Sequence, residues 1–365
     1  MARLRLVPGT PDEVLAALAG VLDGSGTPFA PLPNDAAGAA RVEQAAAPER
    51  PLEDGCAVVL TTSGSSGEPK GVLLSREALI ASAHATHDRL GGPGQWLLPM
   101  KPYFVGGLQI LTRSLVAGTT PVMLGESFTD SAAAMTGTRR YTAMVPTQLA
   151  RYLETDADAL RSFDAIIIGG ASTPEPLKLK AAEAGVTAIP AYGMTETGSG
   201  CVYAGVPLDG TSISLDGDQR ILIKGSTLFS GYRLRPELTA EVLKDGWFRT
   251  QDRGELMDGR LRVVGRVDDV VISGGVNVTL TTVQARLLEH PSVKDAVVLG
   301  VPDAEWGTRV VAFVVGSDVG RDELRNWVSG TLPRAWAPQD VIRLDALPML
   351  ASGKVDRQGL LEGVR

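Results

Sequence analysis

The N-terminal part of the chain alternates between short apolar runs and longer stretches with helical spacing of apolar residues. Apolar runs with the length of strands cover residues 95–98, 121–124, 142–145, 165–168 and 187–190. Helical patterns cover residues 107–116, 147–154 and 174–184. This alternation predicts an α/β fold in which a largely parallel sheet is covered by helices. Binding sites in such sheets lie at the carboxyl ends of the strands.

Two further helices have recognisable ends. The first is predicted to begin after Thr10, because Pro11 and Glu13 complete a helix-start signal, and to end near Gly24. The second is predicted to begin after Ser75, which can cap it, and to end at Gly91-Gly92. Residues 24–54 are rich in Ala, Pro and Gly without clear periodicity, so we expect mostly connecting structure there.

The pattern changes from residue 211 onward. Asp216-Gly217 and Asp258-Gly259 each separate two apolar runs, which predicts a small antiparallel β subdomain. After Arg266, apolar runs and two helical patterns predict a compact α+β unit of roughly 100 residues. We therefore expect a large N-terminal domain over residues 1–267, with mixed or parallel sheets, helices and the antiparallel subdomain. Residues 268–365 are expected to form a small, mobile C-terminal α+β domain.

Composition excludes several classes of protein. The 365 residues carry a net charge of −7 without a long basic run, which argues against a nucleic-acid partner. No apolar stretch is long enough to span a bilayer and no signal peptide is visible, so a cytoplasmic location is expected. Two cysteines and three histidines, without a CxxC pair, argue against structural zinc. Cys56 and Cys201 are expected to be ordinary small residues, and the histidines to lie on helix surfaces.

The most informative stretch joins two apolar runs between Val58 and Leu74. Its glycines let the backbone approach an anion closely, and its hydroxyls, N–H groups and lysine can surround phosphate oxygens. A mobile Ser/Gly surface loop is the alternative. The stretch is not a Walker loop, because Gly71 follows the lysine and a strand follows the loop. The candidate phosphate-binding residues are Thr61, Thr62, Ser63, Gly64, Ser65, Ser66, Gly67 and Lys70.

The same stretch resembles the [ST]-[SG]-G-[ST]-[ST]-G-x-P-K-G signature of the adenylate-forming ligases, which include acyl-CoA synthetases, luciferases and peptide-synthetase adenylation domains. The resemblance continues through further motifs in family order, from about Ala57 to Arg357. These motifs are Gly169-Gly170-Ala171, Tyr192-Gly193-Met194-Thr195-Glu196, Trp247-Phe248-Arg249-Thr250-Gln251-Asp252, Gly265-Arg266-Val267-Asp268-Asp269 and Ser352-Gly353-Lys354-Val355-Asp356-Arg357. The resemblance implies ATP, Mg²⁺ and coenzyme A as cofactor and co-substrates.

The resemblance also implies roles for individual residues. Adenine would contact Gly169, Gly170, Ala171 and Tyr192, with Gly193 and Met194 completing that part of the ATP site. Thr195 would contact the α-phosphate, Glu196 would hold Mg²⁺, and Lys354 would be the catalytic lysine. The ribose would be bound by Asp252 and Arg266, the hinge would lie at Asp268, and Gly274 and Gly275 would contact coenzyme A.

Two stretches narrow the resemblance to the o-succinylbenzoate–CoA ligases of menaquinone biosynthesis. Residues 102–109, followed by Arg113, resemble the P-x-H-x-x-G…R segment of those enzymes, and residues 145–149 resemble their V-P-T-Q-L. The implied substrate is 2-succinylbenzoate, a dicarboxylate, and Arg113 would pair with its unreactive carboxylate. The implied substrate-binding residues are Phe104, Gly106, Arg113, Thr147 and Gln148. Another fatty or aromatic acyl-CoA ligase, or a non-catalytic nucleotide-binding regulator, remains an alternative, and a homo-oligomer is possible.

Several positions depart from the family pattern. Phe104 stands where relatives often have His, so no imidazole is available there for proton transfer. Gln251 replaces Gly of T-G-D, Val276 replaces Glu of G-G-E, and Met349 replaces an Arg near the lysine loop. Residues 281–284 also differ from the family's P-x-E-I-E. These departures affect the surface near the hinge and the coenzyme A tunnel more than the ATP chemistry.

Overall fold

The computed structural model describes residues 3–63, 69–317, 319–350, 353 and 355–364. The chain divides into two compact units. The first comprises Met1–Ser214, Leu222–Arg249 and Asp258–Leu261, and the second comprises Leu215–Ile221, Thr250–Met257 and Arg262–Arg365. The predicted domain boundary after residue 267 falls within the second unit and stays a prediction.

The strands of the N-terminal part are β1 (Arg5–Pro8), β2 (Phe29–Leu32), β3 (Cys56–Ser63), β4 (Pro69–Ser75), β5 (Gln95–Leu98), β6 (Val122–Met123), β7 (Arg140–Met144), β8 (Ala165–Ile168), β9 (Ala188–Met194), β10 (Ser199–Tyr203) and β11 (Val206–Pro207). They are followed by β12 (Thr211–Leu215), β13 (Arg220–Gly225), β14 (Gly231–Tyr232), β15 (Leu243–Lys244), β16 (Trp247–Met257), β17 (Arg260–Arg266), β18 (Val270–Ser273), β19 (Val276–Thr279), β20 (Val293–Asp303), β21 (Gly307–Gly316) and β22 (Asp340–Arg343). The helices are α1 (Pro11–Asp23), α2 (Ala36–Ala46), α3 (Arg76–Arg89), α4 (Val105–Val116), α5 (Phe128–Ala133), α6 (Pro146–Thr155), α7 (Ala157–Arg161), α8 (Glu175–Glu183), α9 (Pro236–Val242), α10 (Leu280–Leu288), α11 (Arg321–Ser329) and α12 (Arg357–Glu362).

A five-stranded sheet, in the order β1-β2-β3-β4-β14, carries the predicted phosphate-binding stretch. Strands β1, β2 and β3 are parallel, whereas β3 and β4 form an antiparallel pair in which Thr62 lies opposite Lys70. A strand does follow the predicted loop, which separates this stretch from a Walker loop. Residues 64–68, which join β3 to β4, lie outside the described part of the chain.

A seven-stranded sheet forms the second layer, in the order β11-β10-β9-β8-β7-β5-β6. Strands β5 to β9 are parallel to one another in this sheet, and β10 and β11 add antiparallel pairs at one edge. Apolar side chains on both faces are buried, as expected for a parallel sheet covered by helices. The predicted α/β architecture is therefore confirmed, and the carboxyl ends of β5, β7, β8 and β9 lie side by side.

Helix α4 is buried along most of its length because it packs against α1, α3 and β5. Its side chains from Leu108 to Ser114 are all buried, although Gln109, Thr112, Arg113 and Ser114 are polar. The hydroxyls of Thr112 and Ser114 donate to carbonyls one turn earlier in the helix. Helix α4 therefore carries polar groups into the core of the first unit, where water cannot solvate them freely.

The remaining strands form smaller sheets, in which β15 and β16 are an antiparallel pair, as are β18 and β19. Strands β12, β13, β16 and β15 form a sheet in that order, with β17 paired to β16. Strands β18 and β19 form a hairpin, and β21 pairs with antiparallel β20 and parallel β22. The core of the second unit includes Val278, Val283, Leu287, Val298 and Val310.

Two expectations from the sequence are wrong. Residues 24–54 contain β2 and α2, because Phe29 and Ala30 are buried between β1 and β3, and Asp35 caps α2 by accepting from the Gly38 N–H. His87 and His290 are buried, and only His84 of the histidines is exposed.

Cys56 and Cys201 are buried free thiols, and burial raises the pKa of each to about 12, as expected for unreactive small residues. No helix within the described residues is long and apolar enough to cross a membrane.

Candidate active site

The predicted acyl- and adenine-binding residues of the first unit follow neighbouring parallel strands. Phe104 and helix α4 come shortly after β5, and Thr147 and Gln148 come shortly after β7. Gly169 follows β8 directly, while Tyr192 to Met194 end β9. Since these strands are parallel and adjacent, their carboxyl ends bring these residues to one edge of the sheet.

The glycines of this edge permit close backbone approach. A Cβ atom on Gly193 would lie 2.1 Å from the Ser199 carbonyl oxygen and 2.6 Å from the Gly200 Cα, so no other residue fits without displacing β10. Gly170 adopts a left-handed conformation with φ of 83°, which only glycine adopts without strain. The turn at Gly169-Gly170-Ala171 and the half-buried Tyr192 are therefore compatible with the predicted adenine contact, which stays a prediction.

The strands on either side of the phosphate-binding stretch place the remaining candidates. Thr61 pairs with Gly71 and Thr62 with Lys70, all half-buried or buried. The Thr61 hydroxyl is buried and has no hydrogen-bond partner among the described residues, so it can bind a ligand oxygen. Gly64, Ser65, Ser66 and Gly67 were predicted to bind phosphate and lie outside those residues, as does the side chain of Ser63.

Glu196, the predicted Mg²⁺ ligand, has a defined position and defined hydrogen-bond partners in the first unit. It lies in the short 3₁₀ turn Thr195–Thr197, directly after β9. The Tyr232 hydroxyl donates to Glu196 Oε1 at 2.9 Å, and the Phe229 N–H donates to the Glu196 carbonyl at 2.8 Å. Burial, followed by the charge of Glu196 and this hydrogen bond, raises the pKa of Tyr232 well above its usual range, so the phenol stays protonated. Sequence reasoning missed Tyr232.

Arg113 lies in the middle of α4 with only 1% of its surface exposed. Its Nη2 donates to the Tyr203 hydroxyl at 3.4 Å, and its Cζ lies 5.0 Å from the centre of the Trp96 ring. Among the described residues, its Nε has no hydrogen-bond partner and no carboxylate pairs with the guanidinium. Burial lowers the pKa of the guanidinium, and the Tyr203 phenol opposes that shift. A buried cation without a carboxylate is unusual, and the predicted pairing of Arg113 with an anionic ligand stays a prediction.

Gln109 lies one turn before Arg113 and was not singled out from the sequence. It is fully buried, and neither Nε2 nor Oε1 has a hydrogen-bond partner within the described structure. A Cβ atom on Gly198, two residues after Glu196, would lie 3.7 Å from Gln109 Nε2. The amide therefore lies close to the turn that carries Thr195 and Glu196. The position of Gln109 at the end of the stretch 102–109, which resembles the ligases, was the available signal in the sequence.

The other predicted substrate-binding residues have varied surroundings. Gln148 uses its amide locally, because Oε1 accepts from the Val145 N–H and Nε2 donates to the Pro99 carbonyl. Thr147 is exposed. Phe104 packs its ring 4.7 Å from that of Tyr103, and a Cβ on Gly106 would lie 2.8 Å from Met100 Sδ. Their substrate roles stay predictions, and Gln148 has a structural role as well.

In the second unit, the predicted ribose and hinge residues form one charged cluster. Arg266 makes two hydrogen bonds to the Asp268 carboxylate, at 2.8 and 3.1 Å, and its Nη1 lies 3.8 Å from Asp252 Oδ1. Burial opposes ionisation of Asp268, but the hydrogen bonds and charge of Arg266 outweigh it and lower the pKa of Asp268. The neighbouring Asp269 is buried and accepts from Arg357 Nη1 at 2.8 Å. The structure therefore brings Asp252, Arg266 and Asp268 together, while their ribose and hinge roles stay predictions.

The predicted coenzyme A contacts lie in the turn between β18 and β19. Gly274 and Gly275 both have positive φ angles, of 55° and 80°, and both are exposed. The ring of Trp306 covers one side of this turn, because a Cβ on Gly274 would lie 2.9 Å from it.

Lys354, the predicted catalytic lysine, lies outside the described residues. Met349 and Val355, which lie on either side of it in the sequence, form an antiparallel bridge.

The first unit contains a carboxylate, that of Glu196, which fits the magnesium ion of a nucleotide–magnesium complex. No group of three or more His, Cys, Asp or Glu side chains could hold a metal within the part of the chain that the structure describes. Magnesium bound to nucleotides commonly uses one or two protein carboxylates, with phosphate and water oxygens completing its shell. The half-buried carboxylate of Glu196 supplies such a ligand.

Comparison with known proteins agrees with this geometry. Residues 7–232 match the family described as AMP-binding enzyme, and residues 282–354 match the AMP-binding enzyme C-terminal domain. The first match covers all the predicted residues of the first unit from the phosphate-binding stretch to Tyr232. The second covers Lys354 and its flanking loop.

Two curated relatives and two solved structures are similar to this chain over most of its length. A probable 2-succinylbenzoate–CoA ligase of Mycobacterium tuberculosis is 42% identical over 95% of this chain and 94% of that protein. The 2-succinylbenzoate–CoA ligase of Escherichia coli is 31% identical over 85% of this chain and 69% of that protein. A structure of o-succinylbenzoate CoA synthetase from Bacillus subtilis with its acyl-adenylate intermediate has a TM-score of 0.80 at 25% identity, covering 98% of this chain and 88% of that one. Another structure of that enzyme, with ATP and magnesium ion, has a TM-score of 0.79 at 26% identity, covering 99% and 89%. The chain belongs to the family of AMP-binding enzymes, which are adenylate-forming ligases.

Proposed function

We propose that the protein is an ATP- and Mg²⁺-dependent acid–thiol ligase that converts 2-succinylbenzoate to its coenzyme A thioester, a reaction of menaquinone biosynthesis. The observation that supports this substrate is Arg113, a buried guanidinium without a carboxylate partner among the described residues. It lies on the helix that follows β5, in a chain 42% identical to a probable 2-succinylbenzoate–CoA ligase. A dicarboxylic substrate supplies the missing anion.

The reaction has two steps. In the first, an oxygen of the succinyl carboxylate forms a bond to the α-phosphorus of ATP, and the bond to pyrophosphate breaks. In the second, the sulfur of coenzyme A forms a bond to the acyl carbon, the bond to AMP breaks, and the thiol proton is lost. Both steps bring anionic groups together, so stabilisation of negative charge is the main task of the protein.

We assign the first step mainly to the first unit. Thr61, Thr62 and Lys70 flank the phosphate-binding stretch and would bind phosphate oxygens, and Thr195 would orient the α-phosphate. Glu196 would hold Mg²⁺, which when bound neutralises phosphate charge. Arg113 would pair with the ring carboxylate, and the unpartnered amide of Gln109 is close enough to the Glu196 turn to bind an acyl oxygen. Phe104 and Gly106 would form part of the acyl pocket wall.

The second unit would contribute the remaining groups. Asp252, an acceptor, and Arg266, a donor, would bind the ribose hydroxyls of the nucleotide. Lys354 would assist adenylation, and Asp268 would be the hinge about which the C-terminal domain moves before thioester formation. Gly274 and Gly275 would let coenzyme A approach the backbone of the β18–β19 turn. We also propose that the enzyme acts on small molecules in the cytoplasm, where its relatives' substrates ATP and coenzyme A are available.

ATP–pyrophosphate exchange with a panel of acids tests the proposal. We expect exchange with 2-succinylbenzoate, dependence on Mg²⁺, and weak exchange with 3-benzoylpropionate, which lacks only the ring carboxylate. Strong exchange with a monocarboxylic fatty or aromatic acid would replace the substrate assignment by another acyl-CoA ligase. Absence of exchange with every acid, despite ATP binding, would indicate a nucleotide-binding regulator.

A further inference from the structure

The segment Phe229–Tyr232 connects the proposed metal-binding turn to the phosphate-binding strand β4. At one end, the Phe229 N–H donates to the carbonyl of Glu196. The Ser230 N–H then donates to the Leu73 carbonyl, and Tyr232 pairs with Val72 as β14 joins β4. Since these are backbone interactions within one unit, the segment fixes the separation between the Glu196 turn and β4.

The path of this segment depends on a glycine. Gly231 has a φ angle of 149°, and a Cβ atom there would lie 2.8 Å from Thr239 Cγ2. The Thr239 hydroxyl accepts the Tyr232 N–H, so Thr239 cannot move away without losing that bond. The backbone of Tyr232 is therefore held from two sides.

The side chain of Tyr232 contacts Glu196 and Lys70, the two charged groups of the first unit that the proposed reaction directs at the phosphates of ATP. Its hydroxyl donates to Glu196 Oε1 at 2.9 Å, and Lys70 Nζ lies 5.4 Å from the centre of its ring. Lys70 and Val72 share a face of β4 because side chains alternate along a strand, and Tyr232 lies opposite Val72 on that face. One aromatic ring thus lies between an anion and a cation.

Packing alone does not require the hydroxyl of Tyr232. Its ring packs edge-on against Phe229 at 5.0 Å between ring centres, and a phenylalanine would keep that contact. The phenol instead donates its only proton to Glu196 Oε1, which orients the carboxylate without occupying Oε2. Hydrogen-bond donors of this kind behind a metal-binding carboxylate commonly determine its orientation.

We propose that Tyr232 is a positioning residue whose hydroxyl holds the Glu196 carboxylate in the orientation that binds the magnesium ion of MgATP. The inference rests on the proposed function and adds a residue that neither the sequence motifs nor the comparisons assign. It predicts that Tyr232 matters for the coupling between metal and nucleotide, and much less for nucleotide binding itself.

Calorimetry on the full chain can measure this coupling. The dissociation constant of ATP is determined with EDTA and again with saturating MgCl₂, and the ratio of the two gives the factor by which metal strengthens ATP binding. In Tyr232→Phe we expect this factor to fall about tenfold, as is common when a hydrogen-bond partner of a metal ligand is removed. The affinity for AMP, measured without metal, should remain that of the wild type.

Two variants serve as controls. Tyr152→Phe removes another phenol of the first unit, one that accepts from Arg151 at 3.0 Å on α6, and it should leave the coupling factor unchanged. Glu196→Gln removes the carboxylate, so it should lower the factor at least as much as Tyr232→Phe. The double variant should then match Glu196→Gln, because Tyr232 acts through Glu196.

The possible outcomes separate the inference from the proposed function. A wild-type coupling factor in Tyr232→Phe, with a reduced one in Glu196→Gln, would overturn the positioning role alone. Equal weakening of ATP and AMP binding by Tyr232→Phe, with or without metal, would show a structural role and also overturn it. A wild-type factor in Glu196→Gln would overturn the metal assignment of Glu196, and a wild type that binds no ATP would overturn the proposed function.

Discussion

Arg113→Met is the most informative substitution, because the structure predicts opposite effects on substrate recognition and on stability. Methionine keeps an unbranched chain in the core of α4 while it removes the charge. The charge now lies buried with a 3.4 Å hydrogen bond to Tyr203, a cation–π contact with Trp96 and an unpartnered Nε. Its substitution therefore removes a group that the free protein does not fully satisfy.

The size of each effect can be worked out from these contacts. A hydrogen bond between charged groups contributes about 1.5–3 kcal/mol, so the loss of the substrate's ring carboxylate contact should lower kcat/KM about 10- to 150-fold at 1.4 kcal/mol per decade. Replacing a buried ion pair by apolar groups is often neutral or stabilises a protein by about 1–4 kcal/mol, and a buried charge without an ionic partner has the cost of desolvation without the pair's attraction. The lost contact with Trp96 offsets roughly 1–2 kcal/mol of this gain. The free protein should therefore become more stable by on the order of 1 kcal/mol.

The assay compares two acids and two variants. Thioester formation is measured with 2-succinylbenzoate and with 3-benzoylpropionate, and unfolding of the free protein is followed in urea. Arg113→Met should lose kcat/KM only for 2-succinylbenzoate, with KM for ATP nearly unchanged. Arg151→Met is the matched control, since Arg151 also stacks on an aromatic ring, that of Tyr152 at 4.7 Å, but lies exposed on α6. Arg151→Met should leave kcat/KM unchanged for both acids.

Three results would refute this reasoning in different ways. Equal loss with both acids would make Arg113 a structural residue. A large decrease in the stability of the free protein would mean that its buried charge is well satisfied before substrate binds. A wild type that prefers 3-benzoylpropionate would remove the reason for placing a cation in the acyl pocket.

Further predictions concern the second unit and a buried histidine. Lys354→Ala should lose acyl-adenylate formation by orders of magnitude but still convert supplied acyl-adenylate and coenzyme A to thioester; equal loss in both assays would contradict its assignment. Asp268→Pro should slow thioester formation more than adenylation, because proline fixes φ near −65° where a hinge must rotate, and unchanged rates would exclude a hinge there. Burial, with the charge of Arg113, lowers the pKa of His87 from 6.5 to about 4, so the unfolded chain binds more protons between these values. Stability should therefore fall as the pH decreases from about 6.5 to about 4, by up to about 1.4 kcal/mol per pH unit, and His87→Gln should remove this slope in urea unfolding. An NMR titration of His87 near 6.5 would contradict it.

The parallel sheet and the location of its functional edge could be predicted from sequence because both depend on local signals. Each short apolar run is long enough for one buried strand, and each motif follows such a run directly. The ends of α1 and α3 were predicted for the same reason, since Ser75 accepts from the Ala78 N–H and Gly24 adopts a left-handed conformation. Capping and strand length require no knowledge of distant residues.

The failures have a common cause, which is contact between residues far apart in sequence. Strand β2 exists because β1 and β3 pair with it on both sides, whereas its own sequence, FAPL, contains a proline and gives little indication of a strand. His87 was expected at a helix surface, but α3 is covered on several faces, and Trp96 Nε1 donates to His87 Nε2. The hydroxyl of Tyr232 reaches a carboxylate 36 positions away, which no local pattern indicates.

The two charges central to the proposed chemistry have the same kind of neighbour. Glu196 accepts from the phenol of Tyr232, and Arg113 donates to the phenol of Tyr203, and neither forms an ion pair with another described residue. A charged partner at either position would compete with the ligand, since a lysine beside Glu196 would repel Mg²⁺ and a carboxylate beside Arg113 would displace the substrate's own. A neutral hydroxyl orients a charge while leaving most of it for the ligand, which is the arrangement that electrostatic preorganisation requires. The same arrangement leaves each charge poorly compensated in the free protein. We therefore expect Glu196 and Arg113 to serve the function of the protein at the expense of its stability.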